Sequence, residues 1–252
     1  MLEGKVALVS GTGPNIGSEI ARTLAANGAS VACMDLNPEF AQAAAKSIND
    51  AGGKAIGVSA DITQQDQVKK AVEEVVSTLG GIHILVNDAA ITDRGSFLEA
   101  DLDQWNKVLG VILTGTFIVS QQVARQMVAQ KQGGAIVNIA STSGHLGEPS
   151  RVAYGTAKAG ILNFTRTLAL QLAPHQIRVN SLTPTQTGTG VGNPGGRSRD
   201  DGPPPENIPI GRWGKTSDQA QGVLFLVSPN ASFITGIDLR VDGGVLAGRG
   251  HG

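Results

Sequence analysis

A tyrosine and a lysine four residues apart, preceded by a serine, are the side chains in this sequence best suited to acid–base chemistry. Tyr154 and Lys158 lie in "RVAYGTAK", where helical spacing places both on one face. Ser141 follows the apolar run "GGAIVNIA", which is typical of a buried strand. A phenol has an ordinary pKa of about 10, and a nearby ammonium group lowers it by favouring phenolate. We expect Tyr154 to exchange a proton with a hydroxyl or carbonyl oxygen that Ser141 hydrogen-bonds, whereas an exposed Tyr/Lys pair without Ser141 would mean little.

Short apolar runs alternate with helical patterns along the chain and must position these side chains. Parallel strands buried on both faces have such continuous apolar runs, so the pattern predicts an α/β fold: a doubly wound parallel sheet with helices on both faces. Ligands of such sheets bind beyond the carboxyl ends of the strands. The predicted strands are "KVALVS", "SVACMD", "AIGVSAD", "HILVND", "AIVNIAS", "IRVNSLTP" and "GIDLRVDGG".

The first strand is followed by "SGTGPNIG" and then by a helical pattern. Its glycines, Gly11, Gly13 and Gly17, do not fit Gly-x-Gly-x-x-Gly, because the last interval is one residue too long. The setting nevertheless favours a phosphate-binding loop: Gly11 for a tight turn, Gly17 for close packing of helix and strand, and helix amides for a pyrophosphate. The alternative is a tight turn without a ligand.

Asp35 ends the second apolar run, close to the offset at which an acidic side chain accepts hydrogen bonds from the adenosine ribose hydroxyls. Its carboxylate would repel a ribose phosphate, and no Arg or Lys follows in "DLNPEF". The sequence therefore favours NAD over NADP. The alternative is that Asp35 only caps the next turn with Asn37 and Pro38.

Charge and composition limit the ligands, the location and the metal chemistry that the sequence predicts. The 252 residues carry a formal net charge of −1, which gives no attraction to nucleic acid or to an anionic membrane. No secretory signal is evident, and the apolar stretch from Val108 is too short and too interrupted to cross a bilayer, so we expect a soluble, cytoplasmic protein. The single cysteine, Cys33, has the apolar neighbours of a buried structural thiol. The four histidines lack metal-ligand spacing, so no metal is expected.

These motifs, in this order, resemble a classical short-chain dehydrogenase/reductase over nearly the whole chain. The resemblance implies a single Rossmann-type domain over residues 1–252, hydride transfer between NAD(H) or NADP(H) and an alcohol/carbonyl pair, and a homotetramer. The matching pieces are "SGTGPNIG", Asp35, "SADIT", "NDAA", Ser141, "YGTAK", "RVNSLTP", "IPIGRWGK" and "FITGIDLRVDGG".

By matching position, the resemblance also implies the residues that bind the cofactor. Lys158 would both tune Tyr154 and bind the nicotinamide ribose, and Thr189 would meet the carboxamide. The full set is Gly11, Asn15, Ile16 and Gly17 in the loop, Asp35 at the ribose, Asp61 and Ile62 at the adenine, Asn87 beside the cofactor, and Tyr154, Lys158 and Thr189 at the nicotinamide end.

The sequence departs from the family pattern at four places. Asn15 replaces the middle glycine of the loop, where asparagine tolerates positive φ. In "NDAA" an Asp and an Ala replace the usual Asn and Gly, which adds a carboxylate near the cofactor. Ile112 stands where the family has the Asn of its catalytic tetrad. That residue acts largely through its backbone carbonyl, so the proton relay can survive, but isoleucine can also straighten the local helix.

The fourth departure is a Gly/Pro-rich segment at about 186–212, where the family has a short helical lid. Its composition favours a loop that orders over substrate, and the alternative is a surface insertion without a role. Arg197 and Arg199 could meet an acidic substrate, although Asp200 and Asp201 beside them favour a solvated charge cluster. His145 is equally compatible with a place in the substrate pocket and with a turn.

The sequence therefore predicts an NAD-dependent oxidoreductase acting on a small alcohol or carbonyl substrate, and it favours a secondary alcohol/ketone pair. Two alternatives stay open: a 3-oxoacyl-thioester carbonyl reductase, and a nucleotide-binding protein that has lost turnover. A cofactor-free lyase on this scaffold is disfavoured, because those relatives carry Arg at the position of Lys158.

Overall fold

The computed structural model describes residues 1–191, 202–203 and 206–248, and its centre is one parallel sheet with strand order β3-β2-β1-β4-β5-β6-β7. All seven predicted strands form. The order reverses between β1 and β4, so the carboxyl ends of these neighbours border a crevice suited to a ligand. The strands are β1 (Val6–Ser10), β2 (Ser30–Asp35), β3 (Lys54–Ser59), β4 (Ile84–Asn87), β5 (Gly134–Ile139), β6 (Ile177–Pro184) and β7 (Asp238–Val241).

The described helices connect these strands, and capping residues mark the ends of some of them. Asn37 accepts a hydrogen bond from the Glu39 amide at the start of α2, and Gly80 takes a left-handed conformation, φ 91°, at the end of α3. The α-helices are α1 (Ile16–Ala26), α2 (Pro38–Asp50), α3 (Gln65–Leu79), α4 (Leu102–Leu109), α5 (Thr116–Gln130), α6 (Val152–Leu172) and α7 (Thr216–Val227).

The core lies on both faces of the sheet, because successive strand residues point to opposite sides. On β1, Ala7 and Val9 pack into the cluster formed with α1 and α7, while Val6 and Leu8 pack into the cluster formed with α3 and α5. Cys33 is fully buried in the first cluster, and this burial raises the pKa of its thiol to about 12. The prediction of a structural thiol is therefore confirmed.

A π-helical segment, Gly110–Gly115, joins α4 to α5 and makes them one continuous helix. The expectation that Ile112 straightens this helix is wrong: the isoleucine lies within the widened turn and is 1% exposed. The expectation that the apolar stretch from Val108 is too short to cross a bilayer also needs correction. The continuous helix Leu102–Gln130 is long and apolar enough to span a membrane, with a mean hydropathy of 1.3. Val119, Val123 and Met127 of α5 are fully buried against the sheet, as in the core helix of a folded domain.

Candidate active site

Ser141, Tyr154 and Lys158 meet at the carboxyl end of β5. The Ser141 hydroxyl hydrogen-bonds the Tyr154 phenol, and the Lys158 Nζ lies 5.8 Å from the centroid of the tyrosine ring. Lys158 is buried and donates a hydrogen bond of 2.5 Å to the carbonyl of Ile139, the last residue of β5. The three predicted catalytic side chains therefore form one cluster.

Close contact between α6 and the turn after β5 holds this cluster together. A Cβ on Gly155 would lie 3.0 Å from the carbonyl oxygen of Ser143, and one on Gly144 would lie 2.8 Å from the Lys158 backbone. The glycine within "YGTAK" thus lets the Ser141 turn approach the helix that carries Tyr154. The amide of Ser143 in turn donates to the Ser141 Oγ at 3.1 Å.

The start of α6 is capped by Asp93, a residue that the sequence analysis missed. Arg151, at the N-cap position, makes no side-chain cap, and the two Asp93 carboxylate oxygens instead accept hydrogen bonds of 2.9 Å from the amides of Ala153 and Tyr154. A carboxylate at a helix N-terminus satisfies free amides and complements the helix dipole. Asp93 therefore fixes the first turn of the helix that carries Tyr154, over a sequence separation that no local motif reveals.

The electrostatics of the cluster differ from the expected lowering of the Tyr154 pKa. Burial raises the pKa of the phenol, and this effect outweighs the Ser141 hydrogen bond and the Arg151 guanidinium, which lower it. Burial also lowers the pKa of Lys158 to about 8, against the opposing effect of Asp88. In the protein alone, Tyr154 is therefore a neutral phenol at neutral pH, and the pKa prediction is wrong for this state.

The glycine loop has the close contacts expected of a phosphate-binding turn. Gly11 has φ +79°, and a Cβ there would lie 2.6 Å from the Ala89 backbone; a Cβ on Gly17 would lie 2.1 Å from the Gly11 carbonyl oxygen. Asn15, in contrast, has φ −157°, so its tolerance of positive φ is not used. Its Nδ2 instead donates to the Gly190 carbonyl at 3.3 Å, which ties the loop to the segment after β6.

A cavity of about 310 Å³ extends from this loop across the ends of β1, β2 and β4. Predicted cofactor residues line it: Gly11, Asn15, Ile16, Asp35, Asp61 and Ile62. The lining residues that follow β4, Ala89, Ala90 and Ile91, are apolar. The buried Thr12 Oγ1 and Asn15 Oδ1 at the loop have no hydrogen-bond partner in the described structure, as expected of groups that await a ligand. The site thus fits a dinucleotide.

Asp35 both binds the turn that follows β2 and lines the cavity, and its contact with a ribose stays a prediction. One carboxylate oxygen accepts a 3.0 Å hydrogen bond from the Asn37 amide, and the side chain also lines the cavity. Burial raises the pKa of Asp35 above its ordinary value, although backbone hydrogen bonds oppose this. Among the described residues that line this cavity there is no Lys or Arg, and there are three carboxylates: Asp35, Asp61 and Asp88.

Asp88, the residue that departs from the family pattern in "NDAA", projects toward the start of α1. Its carboxylate accepts a hydrogen bond from the Gly17 amide, whereas Asn15 at the N-cap provides none from its own side chain. Burial raises the pKa of Asp88 to about 6, with Lys158 lowering it and Asp35 raising it. The added carboxylate therefore both caps α1 and faces the catalytic lysine.

Five predicted cofactor residues do not line this cavity: Gly17, Asn87, Tyr154, Lys158 and Thr189. Asn87 is buried beneath it, where its Nδ2 donates to Ser120 Oγ at 3.0 Å and to Asn138 Oδ1 at 2.8 Å, which links β4 to β5 and α5. Thr189 lines a separate depression on the outer side of the glycine loop, and its buried Oγ1 has no partner among the described residues. Their contacts with a cofactor stay predictions.

A second cavity, of about 470 Å³, opens beside Ser141 and Tyr154. It adjoins the first cavity and shares Asn15, Ile16, Gly190 and Val191 with it. His145 does not line it, because its Nε2 lies 3.0 Å from an Asp238 carboxylate oxygen at the start of β7. The structure thus assigns His145 to the turn. Only the ends of the predicted lid are described, and Arg197, Arg199, Asp200 and Asp201 lie outside the described residues.

Comparisons with known proteins agree with this geometry. A family model described as enoyl-(acyl carrier protein) reductase matches residues 11–246. A 3-oxoacyl-[acyl-carrier-protein] reductase from Aquifex aeolicus is 42% identical over 97% of this chain and 98% of its own length. A trans-4-hydroxycyclohexanecarboxylate dehydrogenase from Sinomonas cyclohexanicum is 38% identical, over 97% and 93%.

Among solved structures, a gluconate 5-dehydrogenase from Burkholderia cenocepacia, in complex with NADP and tartrate, superposes with a TM-score of 0.90. It is 32% identical, and the match covers 98% of this chain and 97% of that one. With sequence, fold and site in agreement, the chain belongs to the short-chain dehydrogenase/reductase family.

Proposed function

We propose that this protein is an NAD-dependent dehydrogenase of a small secondary alcohol, or the corresponding carbonyl reductase. The observation that carries the proposal is the Ser141–Tyr154–Lys158 cluster at the junction of two cavities, one shaped for a dinucleotide and the other for a small substrate. The family membership supports oxidoreductase chemistry. The acidic, cation-free lining around Asp35 supports NAD, since a ribose phosphate would meet three carboxylates.

In the proposed reaction, Ser141 hydrogen-bonds the substrate oxygen and Tyr154 receives or supplies its proton. A dinucleotide held by the glycine loop and Asp35 would supply the hydride acceptor for oxidation of the alcohol, or the hydride donor for reduction of the carbonyl. Lys158, held by the Ile139 carbonyl beside the tyrosine ring, stabilises the phenolate. Because burial raises the Tyr154 pKa, deprotonation limits oxidation in the neutral range, and kcat/KM for oxidation should rise with pH above 7.

A second candidate is the reduction of a 3-oxoacyl thioester with NADPH. The 42% identity with the Aquifex aeolicus reductase favours it, as does the NADP bound by the gluconate 5-dehydrogenase. The absence of a cation from the lining of the first cavity argues against it. By the resemblance, we also propose a cytoplasmic homotetramer.

The deciding experiment is a fluorescence titration with NADH and, separately, NADPH, followed by turnover assays. We expect NADH to bind at least about tenfold more tightly, given one repelled phosphate in a partly buried site, and secondary alcohols to reduce NAD. Tight NADPH binding with turnover of acetoacetyl thioester would favour the second candidate. If neither nucleotide binds, the oxidoreductase proposal is wrong.

A further inference from the structure

The cavity beside Ser141 and Tyr154 contains three charged residues, and two of them are cations. Arg94 and Arg151 carry positive charge, and Glu148 carries the single negative charge. This charge balance is that of the described residues of the cavity wall. The reacting group of a substrate would therefore enter a site with one uncompensated positive charge.

Arg151 and Glu148 compensate each other. The Nε of Arg151 lies 3.1 Å from a Glu148 carboxylate oxygen, and the other oxygen of Glu148 accepts a 2.6 Å hydrogen bond from the Ser143 hydroxyl. The Arg151 guanidinium also stacks over the Tyr154 ring, 5.6 Å from its centroid, with the arginine side chain only 16% exposed. These contacts leave Arg94 as the cation available to a ligand.

Arg94 has no ion pair or side-chain hydrogen bond within the part of the chain that the structure describes. The adjacent Asp93 does not neutralise it, because both of its oxygens cap α6. Glu99 and Asp101 border a depression on the other side of Arg94, and neither forms an ion pair with it. An arginine beside a catalytic cluster with no partner of its own is suited to a carboxylate, which it binds through two parallel hydrogen bonds.

The backbone around Arg94 is fixed relative to Tyr154. Asp93 on one side binds the Tyr154 amide, and on the other side the Gly95 amide donates to the Ser150 carbonyl at 3.2 Å. Both contacts reach the first turn of α6 or the residues just before it. Arg94 is therefore held at the rim of the cavity, close to the site of proton transfer, and does not depend on the lid for its position.

We propose that Arg94 binds the carboxylate of an anionic substrate, so that the enzyme acts on a hydroxy acid or its oxo acid. This inference rests on the proposed function, because it assigns the reacting oxygen to Ser141 and Tyr154. The neighbouring cavity strengthens the assignment: its three carboxylates repel an organic acid, whereas Arg94 attracts it to the side of the cluster where the substrate must lie.

The first test is binding, which requires no turnover. Butyrate, cyclohexanecarboxylate and phenylacetate, each paired with its amide, are titrated calorimetrically into the full-length protein with and without NADH. We expect at least one acid to bind about tenfold more tightly than its amide, because hydrogen bonds between an arginine and a carboxylate are stronger than those to a neutral amide. Arg94→Gln should reduce that ratio to near one, and Arg94→Lys should keep part of it.

Arg125→Gln is the matched control, since Arg125 is an exposed arginine on α5 that lines neither cavity. It should bind the acids as the natural protein does. Equal binding of acids and amides, or an unchanged ratio in Arg94→Gln, would overturn the proposal. Binding of acids by a protein that does not bind NADH would instead contradict the proposed function and leave the anion site standing.

The second test uses turnover of hydroxy acids and their methyl esters with NAD, including 4-hydroxycyclohexanecarboxylate. Arg94→Gln should raise KM for the acid about tenfold or more, with kcat and the esters little affected, because Arg94 contributes to binding and not to proton transfer. A fall in kcat for acids and esters alike would show a general defect and contradict the assignment.

Discussion

The two adjoining cavities differ in the charge of their described lining residues. The dinucleotide cavity carries three carboxylates and no cation, although its expected ligand contains a pyrophosphate. The substrate cavity carries two arginines and one glutamate. They are separated only by a shared wall that includes Asn15 and Gly190. The charge of the lining therefore changes over a short distance, because a few individual side chains determine it.

On the proposed function, the two cavities would use different groups to hold anions. At the glycine loop, backbone amides and the N-terminus of α1 are available to a phosphate, so no lysine or arginine is needed there. The carboxylates are then free to select the ribose. In the substrate cavity the corresponding helix end, at α6, is already capped by Asp93, and an anion requires the side chain of Arg94.

The strongest test of this division is Tyr154→Phe. The substitution removes the proton donor and acceptor but keeps the ring under Arg151, so turnover should fall by about 10²–10⁴-fold. The Kd for NADH should change little, because the phenol lies on the substrate side of the junction. Steady-state kinetics and NADH titration give the two values. Unchanged turnover would exclude Tyr154 as the acid–base group, as expected of a protein that only binds nucleotide.

A smaller effect is expected from Asp35→Ser in the acidic cavity. Loss of the carboxylate should raise the Kd for NADH about 10–100-fold, since hydrogen bonds to a charged group contribute about 1.5–3 kcal/mol. Binding of NADPH should improve relative to NADH, because the repulsion of its phosphate is reduced. Asp66→Ser, at an exposed position on α3, is the control. If the NADH/NADPH ratio stays constant, Asp35 does not select the cofactor.

Local patterns in the sequence predict the sheet and the catalytic cluster well, but contacts between distant segments escape them. The seven strands are predicted from apolar runs. The four-residue spacing of Tyr154 and Lys158 predicts that both lie on one face of a helix. Asp93 was missed because its partners are 60 and 61 residues away. The pKa of Tyr154 was misjudged because the spacing reveals the neighbouring lysine and not the burial that opposes it.

The availability of Arg94 likewise depends on its neighbours in space. Only the structure shows that Asp93 is occupied elsewhere and that Glu148 pairs with Arg151. Arg197 and Arg199, for which the sequence favoured a solvated charge cluster over contact with an acidic substrate, lie outside the described residues. The departures from the family pattern are visible in the sequence, but their structural consequences are seen only in three-dimensional contacts. Ile112 lies within the π-helical turn, and Asn15 donates a hydrogen bond to the Gly190 carbonyl.

Asp88→Asn gives the smallest expected effect and sharpens the account of the acidic cavity. The asparagine can keep the hydrogen bond from Gly17 while it removes a carboxylate whose pKa burial raises to about 6. A carboxyl group with a folded pKa above its unfolded value costs stability above that folded pKa, and the cost vanishes below the unfolded value near 4. The variant should therefore be more stable by about 1–2 kcal/mol at pH 7.5, after allowance for the partial exposure of Asp88, and equal to the natural protein near pH 4.

Urea denaturation at the two pH values measures this difference, and NADH titration should show modestly tighter binding in the variant at pH 7.5. Lys158 from α6 and Asp35 from β2 are the charged groups that face Asp88, and both keep their positions in the variant. A variant that is less stable at pH 7.5 would mean that the attraction between Asp88 and Lys158 outweighs the cost of burying the carboxylate. Asp88 would then stabilise the protein through its attraction to Lys158, and this carboxylate of the cofactor cavity would not lower the free energy of unfolding.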